Sequence, residues 1–132
     1  MKRFLNVMIL ATLLFTAFAY ASDAVKEISV KDVQQFVDGK AKNVVILDAN
    51  NDNARADAGI VSGAVLLTSY NQYALTELPK DKSTTLVFYC YNSYCQASHL
   101  AAQRAINAGY TDARVMKEGI VGWNAVKAKT KS

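Results

Sequence analysis

The sequence predicts an α/β domain: a mainly parallel central sheet of about five strands, with helices on both faces. Three observations carry this. Val44-Val-Ile-Leu47 is a continuous apolar run, the pattern of a strand covered on both sides, and Thr84 to Tyr89 is a β-branched, apolar and aromatic run that reads as a buried strand. Stretches with helical spacing and capping residues lie between the strand-like runs. Strands and helices alternate along the chain, which is the order of a parallel sheet joined by crossover helices.

The chain has 132 residues, so one domain is expected. Its apolar content of 52% is ample for a core, although the first segment inflates it. Lys2 and Arg3 precede an almost wholly apolar stretch, Phe4 to Phe18, and then Ala19-Tyr20-Ala21. A charged start, an apolar middle and a small-x-small end make residues 1–21 a secretory signal peptide, with the domain over 22–132. The competing reading is an uncleaved anchor, but the apolar stretch is short for a membrane span. The protein is therefore expected to be exported, periplasmic or secreted, with no stable membrane insertion after cleavage. Cleavage leaves thirteen basic and eleven acidic residues, a net charge of +2, too weak to argue for nucleic acid. Export also allows the only two cysteines, Cys90 and Cys95, to form a disulfide.

Taken in order, Glu27-Ile-Ser-Val30 is expected as a short strand. Ser29-Val-Lys-Asp32 has capping-box spacing and starts a helix through Val33, Phe36 and Val37, which Gly39 stops in a left-handed conformation. Val44 to Leu47 forms the next strand, with Asp48 at its carboxyl end. Residues 50–59 are polar and rich in Asn, Asp and Ala, and are expected as a loop that can include one helical turn. Val65-Leu-Leu67 is a third strand, Tyr70 to Leu75 a short helix, and residues 78–82 a turn. Thr84 to Tyr89 is the fourth strand. The helix after it carries Ala97, Ala101 and Ala105 four apart on one face, suited to close packing on the sheet. It ends at Gly109, with Tyr110 placed for the apolar contact beyond a glycine stop. Ala113 to Met116 is a fifth strand, and residues 118–123 turn into a last helix.

The chain is organised around Cys90-Tyr91-Asn92-Ser93-Tyr94-Cys95, the loop between the fourth strand and its helix. Open α/β sheets place ligands at the carboxyl ends of their strands. A helix start and loop amides favour negative charge, hence thiolate over thiol. One unit of thiol pKa needs only about 1.4 kcal/mol of differential stabilisation. Cys90, fixed by the strand end, is the expected nucleophile, seated among backbone N–H groups. Ser93 and Gln96 have capping-box spacing, so Ser93 is expected to cap the helix. Cys95 has three readings: it resolves a Cys90 persulfide or sulfenate, it forms a resting disulfide, or it simply packs.

Several segments, in order, give a family resemblance. Val45-Ile-Leu-Asp48-Ala, Gly59-Ile-Val-Ser-Gly-Ala64, Val87-Phe-Tyr-Cys90, Gly109-Tyr110 and Glu118-Gly-Ile-Val-Gly-Trp123 together resemble a single rhodanese-like domain. The resemblance implies sulfurtransfer without a cofactor. Cys90 would take a sulfane sulfur from a small donor as a persulfide and pass it to cyanide, a thiol or a protein thiol partner. The sequence departs from the pattern. Cys95 stands where many members have arginine, Tyr91 to Tyr94 carry no positive charge, and Asn50, Ile60, Ser62 and Glu118 replace the usual residues. A missing guanidinium weakens the case for a dianionic donor such as thiosulfate. It also argues against a cysteine phosphatase or arsenate reductase, which need C-x5-R. The C-x4-C-x-A-S variant, running to Ser98, also resembles the family.

The remaining candidates have competing readings. Asp48 holds the cysteine loop, pairs with Arg55, or is a plain strand-end carboxylate. Arg55 alternatively faces the pocket in place of the missing loop charge. Tyr91 and Tyr94 wall the pocket mouth, or are exposed loop residues. Trp123 is expected as a core anchor. His99, the only histidine, is expected on the helix surface, and three compressed ligands make no metal site. Two further functions stay open: a thiol–disulfide redox protein using Cys90 and Cys95, and a non-catalytic binding module.

Overall fold

The computed structural model describes residues 25–131. Residues 1–21, read above as a signal peptide, lie outside the described residues. The strands are β1 (Lys26–Glu27), β2 (Val44–Asp48), β3 (Val65–Leu66), β4 (Thr85–Tyr89) and β5 (Ala113–Val115). They form one sheet in the order β1-β5-β4-β2-β3, every neighbouring pair parallel. The helices are α1 (Val30–Asp38), α2 (Asp52–Ala58), α3 (Ala97–Asn107) and α4 (Gly119–Lys129).

β4 lies in the middle and decides which way the cysteine points. It pairs with β2 from Val44↔Thr85 to Asp48↔Tyr89. Side chains alternate across a strand. Leu86, Phe88 and Cys90 therefore enter the core under α3, with Leu47, Ala101, Ala105 and Val115. Val87 and Tyr89 enter the opposite core, with Val33, Val61, Ile120 and Trp123. Trp123 is a core residue, 5% exposed. Full burial of one such side chain is worth about 1.5–3 kcal/mol. That driving force explains why both faces of β4 are apolar and why its register is fixed.

α1 begins as its capping residues dictate: Ser29 Oγ accepts the Asp32 N–H at 3.1 Å. Its end differs from expectation. Gly39 keeps a right-handed conformation (φ −77°), and the left-handed residue is Lys40 (φ 47°). The closing bonds, Lys40 N–H to Val37 O and Ala41 N–H to Phe36 O, place Lys40 just beyond the helix. Glycine at 39 serves close approach instead, since a Cβ there would lie 2.9 Å from Gln35 O.

Two other expectations are corrected. Residues 52–58 form the helix α2, not a loop. Asn51 Oδ1 accepts the Ala54 N–H at 2.9 Å, and none of the helix residues is fully buried, so no apolar stripe announced it. Tyr70 to Leu75 is not helical. The Ala74 N–H is taken by the Glu77 carboxylate at 2.8 Å, which also accepts from Thr68, and only a single 3₁₀ turn forms at Leu75–Glu77. This path delivers Tyr73 to the core, its hydroxyl donating to Ala101 O at 2.8 Å.

The end of α3 is as expected. Gly109 is left-handed (φ 98°), with Gly109 N–H bonded to Ile106 O and Tyr110 N–H to Ala105 O. Beyond it, Asp112 ties two strands together. It accepts from Thr85 Oγ1 at 2.8 Å and from Arg114 Nε and Nη2 at 2.9 Å each. The Arg114 hydrogen bond, assisted by Thr85, holds the Asp112 carboxyl below the ordinary aspartate range. A depressed folded-state pKa adds stability that is fully present above the unfolded value, about 3.9, and is lost as pH falls through the folded value. For this partly exposed pair the contribution is about 0.5–1 kcal/mol. Asp112→Asn should lower stability by about that amount at pH 7 and flatten the acid limb of a urea-midpoint-versus-pH curve.

Candidate active site

Four facts of chain path build the site. β4 ends at Tyr89, so Cys90 stands at the carboxyl end of a central strand. Its position in the alternation turns its side chain under α3, where Cys90 is 1% exposed. The loop then doubles back, and Cys90 and Cys95 are joined as a disulfide with Cα atoms 6.2 Å apart. Cys95 is partly buried and lies at the edge of the same core.

The surroundings of the Cys90 sulfur differ from expectation. Among the described residues, no main-chain N–H donates to it. The Tyr94 N–H bonds to Asn92 Oδ1 at 3.1 Å, and the Cys95 N–H to Asn92 O at 3.1 Å, so Asn92 shapes the loop and takes two of its donors. Cys90 Sγ instead lies 3.3 Å from Ser98 Oγ and 3.3 Å from the carbonyl oxygen of Cys95. In the disulfide the sulfur has no proton, so the Ser98 hydroxyl donates. The reason is geometric: strand alternation aims Cys90 at the body of α3 rather than at the loop's centre.

The loop is fixed from the other side by α4. The Ile120 N–H donates to Cys90 O at 2.9 Å and the Val121 N–H to Tyr91 O at 3.0 Å. The first-turn donors of that helix, which have no intrahelical partners, are thus used to hold the cysteine loop. Gly119 makes the approach possible. It is left-handed (φ 64°), and a Cβ there would stand 2.5 Å from the Tyr91 carbonyl carbon and oxygen and 2.6 Å from Cys90 O. The closing Glu118–Trp123 segment therefore seats the loop.

The other candidates are distributed as follows. Asp48 is fully buried and lies on the Tyr89 face, away from the Cys90 sulfur. Its Oδ1 accepts the Asn50 N–H at 2.7 Å, and its Oδ2 accepts the Tyr89 hydroxyl at 2.7 Å. Tyr89 Oη in turn accepts the Val61 N–H at 3.0 Å. Asp48 thus braces the residue before Cys90, not the cysteine loop itself. Burial pushes the Tyr89 phenol well up; the Val61 N–H opposes this and Asp48 adds to it, so Tyr89 remains a neutral donor.

Arg55 pairs with Asp48, Nε to Oδ1 at 3.6 Å. Its Nη2 donates to Asp48 O at 3.1 Å and Leu67 O at 3.0 Å, binding the ends of β2 and β3. These bonds commit the guanidinium to the sheet end, so it does not replace the missing loop charge. Tyr91 turns toward the Tyr89 core and donates to Asp57 at 2.6 Å, whereas Tyr94 is 90% exposed. Neither walls an enclosed pocket mouth over the sulfur. Ser93 is exposed and makes no cap, since α3 starts later, after Gln96, without a side-chain cap bond.

Two residues escaped sequence reasoning. Gly119 was visible only as part of a motif. Ser98 had a stronger signal: the buried stripe of α3 is Ser98, Ala101, Ala102 and Ala105, at helical spacing, rather than the stripe through Ala97. A serine on the packed face of a helix needs a partner. Among the described residues no group of three or more His, Cys, Asp or Glu is placed to hold a metal, and no helix is long and apolar enough to cross a membrane.

Together these features define a parallel α/β domain with a buried cysteine at the end of its central strand and a second cysteine bonded over it. The sequence model of the rhodanese-like domain matches residues 29–126, and the chain belongs to that family. No curated protein matches the sequence. Solved structures share the fold at low identity. One is a Rhodopseudomonas palustris protein of unknown function, described as a possible tyrosine phosphatase (TM-score 0.65, 18% identity, 78% of this chain and 82% of that one). Another is a Bacillus halodurans protein (0.66, 16%, 77% and 73%). A third is a rhodanese-like domain of an Anabaena protein (0.56, 16%, 76% and 74%). The sixth residue after Cys90 is Gln96, so this chain lacks the arginine of a C-x5-R phosphatase loop.

Proposed function

We propose that the protein is an exported sulfurtransferase of the rhodanese type, whose working cysteine is Cys90 and whose second cysteine closes the site as a disulfide. The observation that carries this is Cys90 at the carboxyl end of β4, held by α4 and within bonding reach of Cys95. Family membership supports the same chemistry. The charged, apolar and small-residue order of residues 1–21 supports export, and a disulfide suits an oxidising compartment.

The reduced form is the one that carries sulfur. A Cys90 thiolate attacks the sulfane sulfur of a small donor, the donor's S–S bond breaks, and its remainder leaves with the electron pair. The resulting persulfide passes its outer sulfur to cyanide or a thiol. In the absence of an acceptor, the Cys95 thiolate attacks Cys90 Sγ. The Sγ–S bond breaks, hydrosulfide leaves, and the disulfide returns. The uncharged loop favours a neutral or monoanionic donor over a dianion.

A second reading, a thiol–disulfide redox protein without sulfane transfer, is favoured by the disulfide itself and by a Cys90 sulfur that, among the described residues, receives no main-chain N–H. Intact mass spectrometry of the reduced protein after incubation with a sulfane donor separates the two. A gain of one sulfur atom, absent in Cys90→Ser and longer-lived in Cys95→Ser, is the expected result. Loss of two hydrogens with no sulfur gained in either the wild type or Cys95→Ser supports the redox reading instead.

A further inference from the structure

Building on the sulfur-handling role proposed above, we infer that the disulfide is chemically one-sided: an incoming thiol attacks Cys95, and Cys90 departs as a thiolate received by the Ser98 hydroxyl. Thiol–disulfide exchange needs the nucleophile in line with the bond it breaks, on the side opposite the leaving sulfur, and its rate depends on which sulfur is accessible. Attack on Cys90 would have to come through the core beneath α3, where Cys90 and Ser98 are each 1% exposed. Cys95 is only partly buried, at the edge of that core and beside the exposed Tyr94, so a thiol reaches it from the loop side.

The leaving side is equally distinct. Ser98 Oγ stands 3.3 Å from Cys90 Sγ. Ser98 is in the first turn of α3, so no helical carbonyl stands four residues before it to take its hydroxyl. Its hydroxyl is directed to the sulfur. A hydroxyl proton pointing at a buried sulfur lowers the cost of leaving charge there, which fills the part expected of the loop amides.

The step balances. The thiolate R–S⁻ forms a bond to Cys95 Sγ, the Cys95–Cys90 bond breaks, and the electron pair leaves on Cys90. A second thiol then resolves the mixed disulfide at Cys95, releasing R–S–S–R and the Cys95 thiolate. Two thiols supply the two electrons. The partner class is a thiol reductant, small or protein-borne, that touches Cys95 and never Cys90. Regeneration and sulfur loading therefore use different sulfurs of the same loop.

The test uses the air-oxidised full chain and glutathione. After brief exposure the mixture is quenched with iodoacetamide, cut by chymotrypsin after Tyr91 or Tyr94, and mapped by mass spectrometry. Glutathione on Cys95 with the alkyl group on Cys90 should exceed the reverse by about tenfold or more. Glutathione mainly on Cys90, an even split, or two free thiols in the oxidised protein would each overturn the inference. The positioning role of Ser98 is read separately in a Cys95→Ser background. There Ser98→Ala should move the midpoint of Cys90 alkylation up by about one pH unit, with a melting curve confirming the fold. An unmoved midpoint would remove Ser98 from the proposal. The trapping experiment needs no sulfane sulfur, so it can fail while sulfur transfer succeeds, and the reverse.

Discussion

Gly119→Ala is expected to destabilise the domain by about 3 kcal/mol or more, and to lower its melting temperature by about 10 °C or more. Two costs add. The left-handed backbone at φ 64° disfavours any Cβ. The added methyl would also stand 2.5 Å from the Tyr91 carbonyl, a main-chain group that cannot swing aside as a side chain would. Relief requires α4 to withdraw from the loop, which lengthens the Ile120 and Val121 bonds to Cys90 O and Tyr91 O. Gly109→Ala separates the two costs. Gly109 is also left-handed, but its Cβ would meet only the flexible Lys82 side chain, at 3.3 Å. Its loss should be nearer 1 kcal/mol. Differential scanning calorimetry of both variants measures the difference, and equal losses would show that contact with the loop contributes nothing.

Asp48→Ala carries the other large effect, a loss of about 3–5 kcal/mol. The carboxylate is fully buried and serves three neighbours: the Asn50 N–H, the Tyr89 hydroxyl and the Arg55 guanidinium. Truncation leaves two donors without their acceptor and takes the buried carboxylate from Arg55, which keeps only the exposed Asp52, 3.1 Å from its Nη1. Asp48→Asn keeps one acceptor oxygen and the shape, and should fall between wild type and Asp48→Ala. Urea unfolding with an unchanged m-value is the appropriate measurement. Because Tyr89 directly precedes Cys90, Asp48→Ala should also broaden the cysteine loop's NMR signals. A loss below about 1 kcal/mol would mean that water replaces the network at little cost.

Much of the fold was legible in the sequence because burial writes itself plainly there. Val44 to Leu47 and Leu86 to Tyr89 are short, continuous apolar runs rich in β-branched and aromatic residues, which suits a strand covered on both faces. The stops at Gly109 and the cap at Ser29 were equally plain, since each rests on local geometry. What was lost depended on contacts distant in sequence. The helix α2 is held by Asn51 and by contacts of its partly buried side, without an apolar face to reveal it. The expected helix at Tyr70 to Leu75 yielded to Glu77, whose carboxylate captures the Ala74 N–H.

The site divides in the same way. Cys90, its strand end and the nearness of Cys95 could be read from the chain. The direction of the Cys90 side chain could not, because it follows from the register of β4 between β2 and β5. That register puts Asp48 and Arg55 behind Tyr89, on the opposite face, and brings Ser98 to the sulfur. The role of α4 in seating the loop needed the tertiary contact of Gly119 with Cys90 and Tyr91. Nothing local in the Glu118–Trp123 segment specifies that neighbour.

The most direct test of Cys90 as the sulfur carrier is cyanolysis: thiocyanate formed by the reduced protein from a sulfane donor and cyanide, wild type against Cys90→Ser. Turnover in the wild type with Cys90→Ser at the protein-free rate is the predicted result. Equal turnover in the two proteins would contradict it.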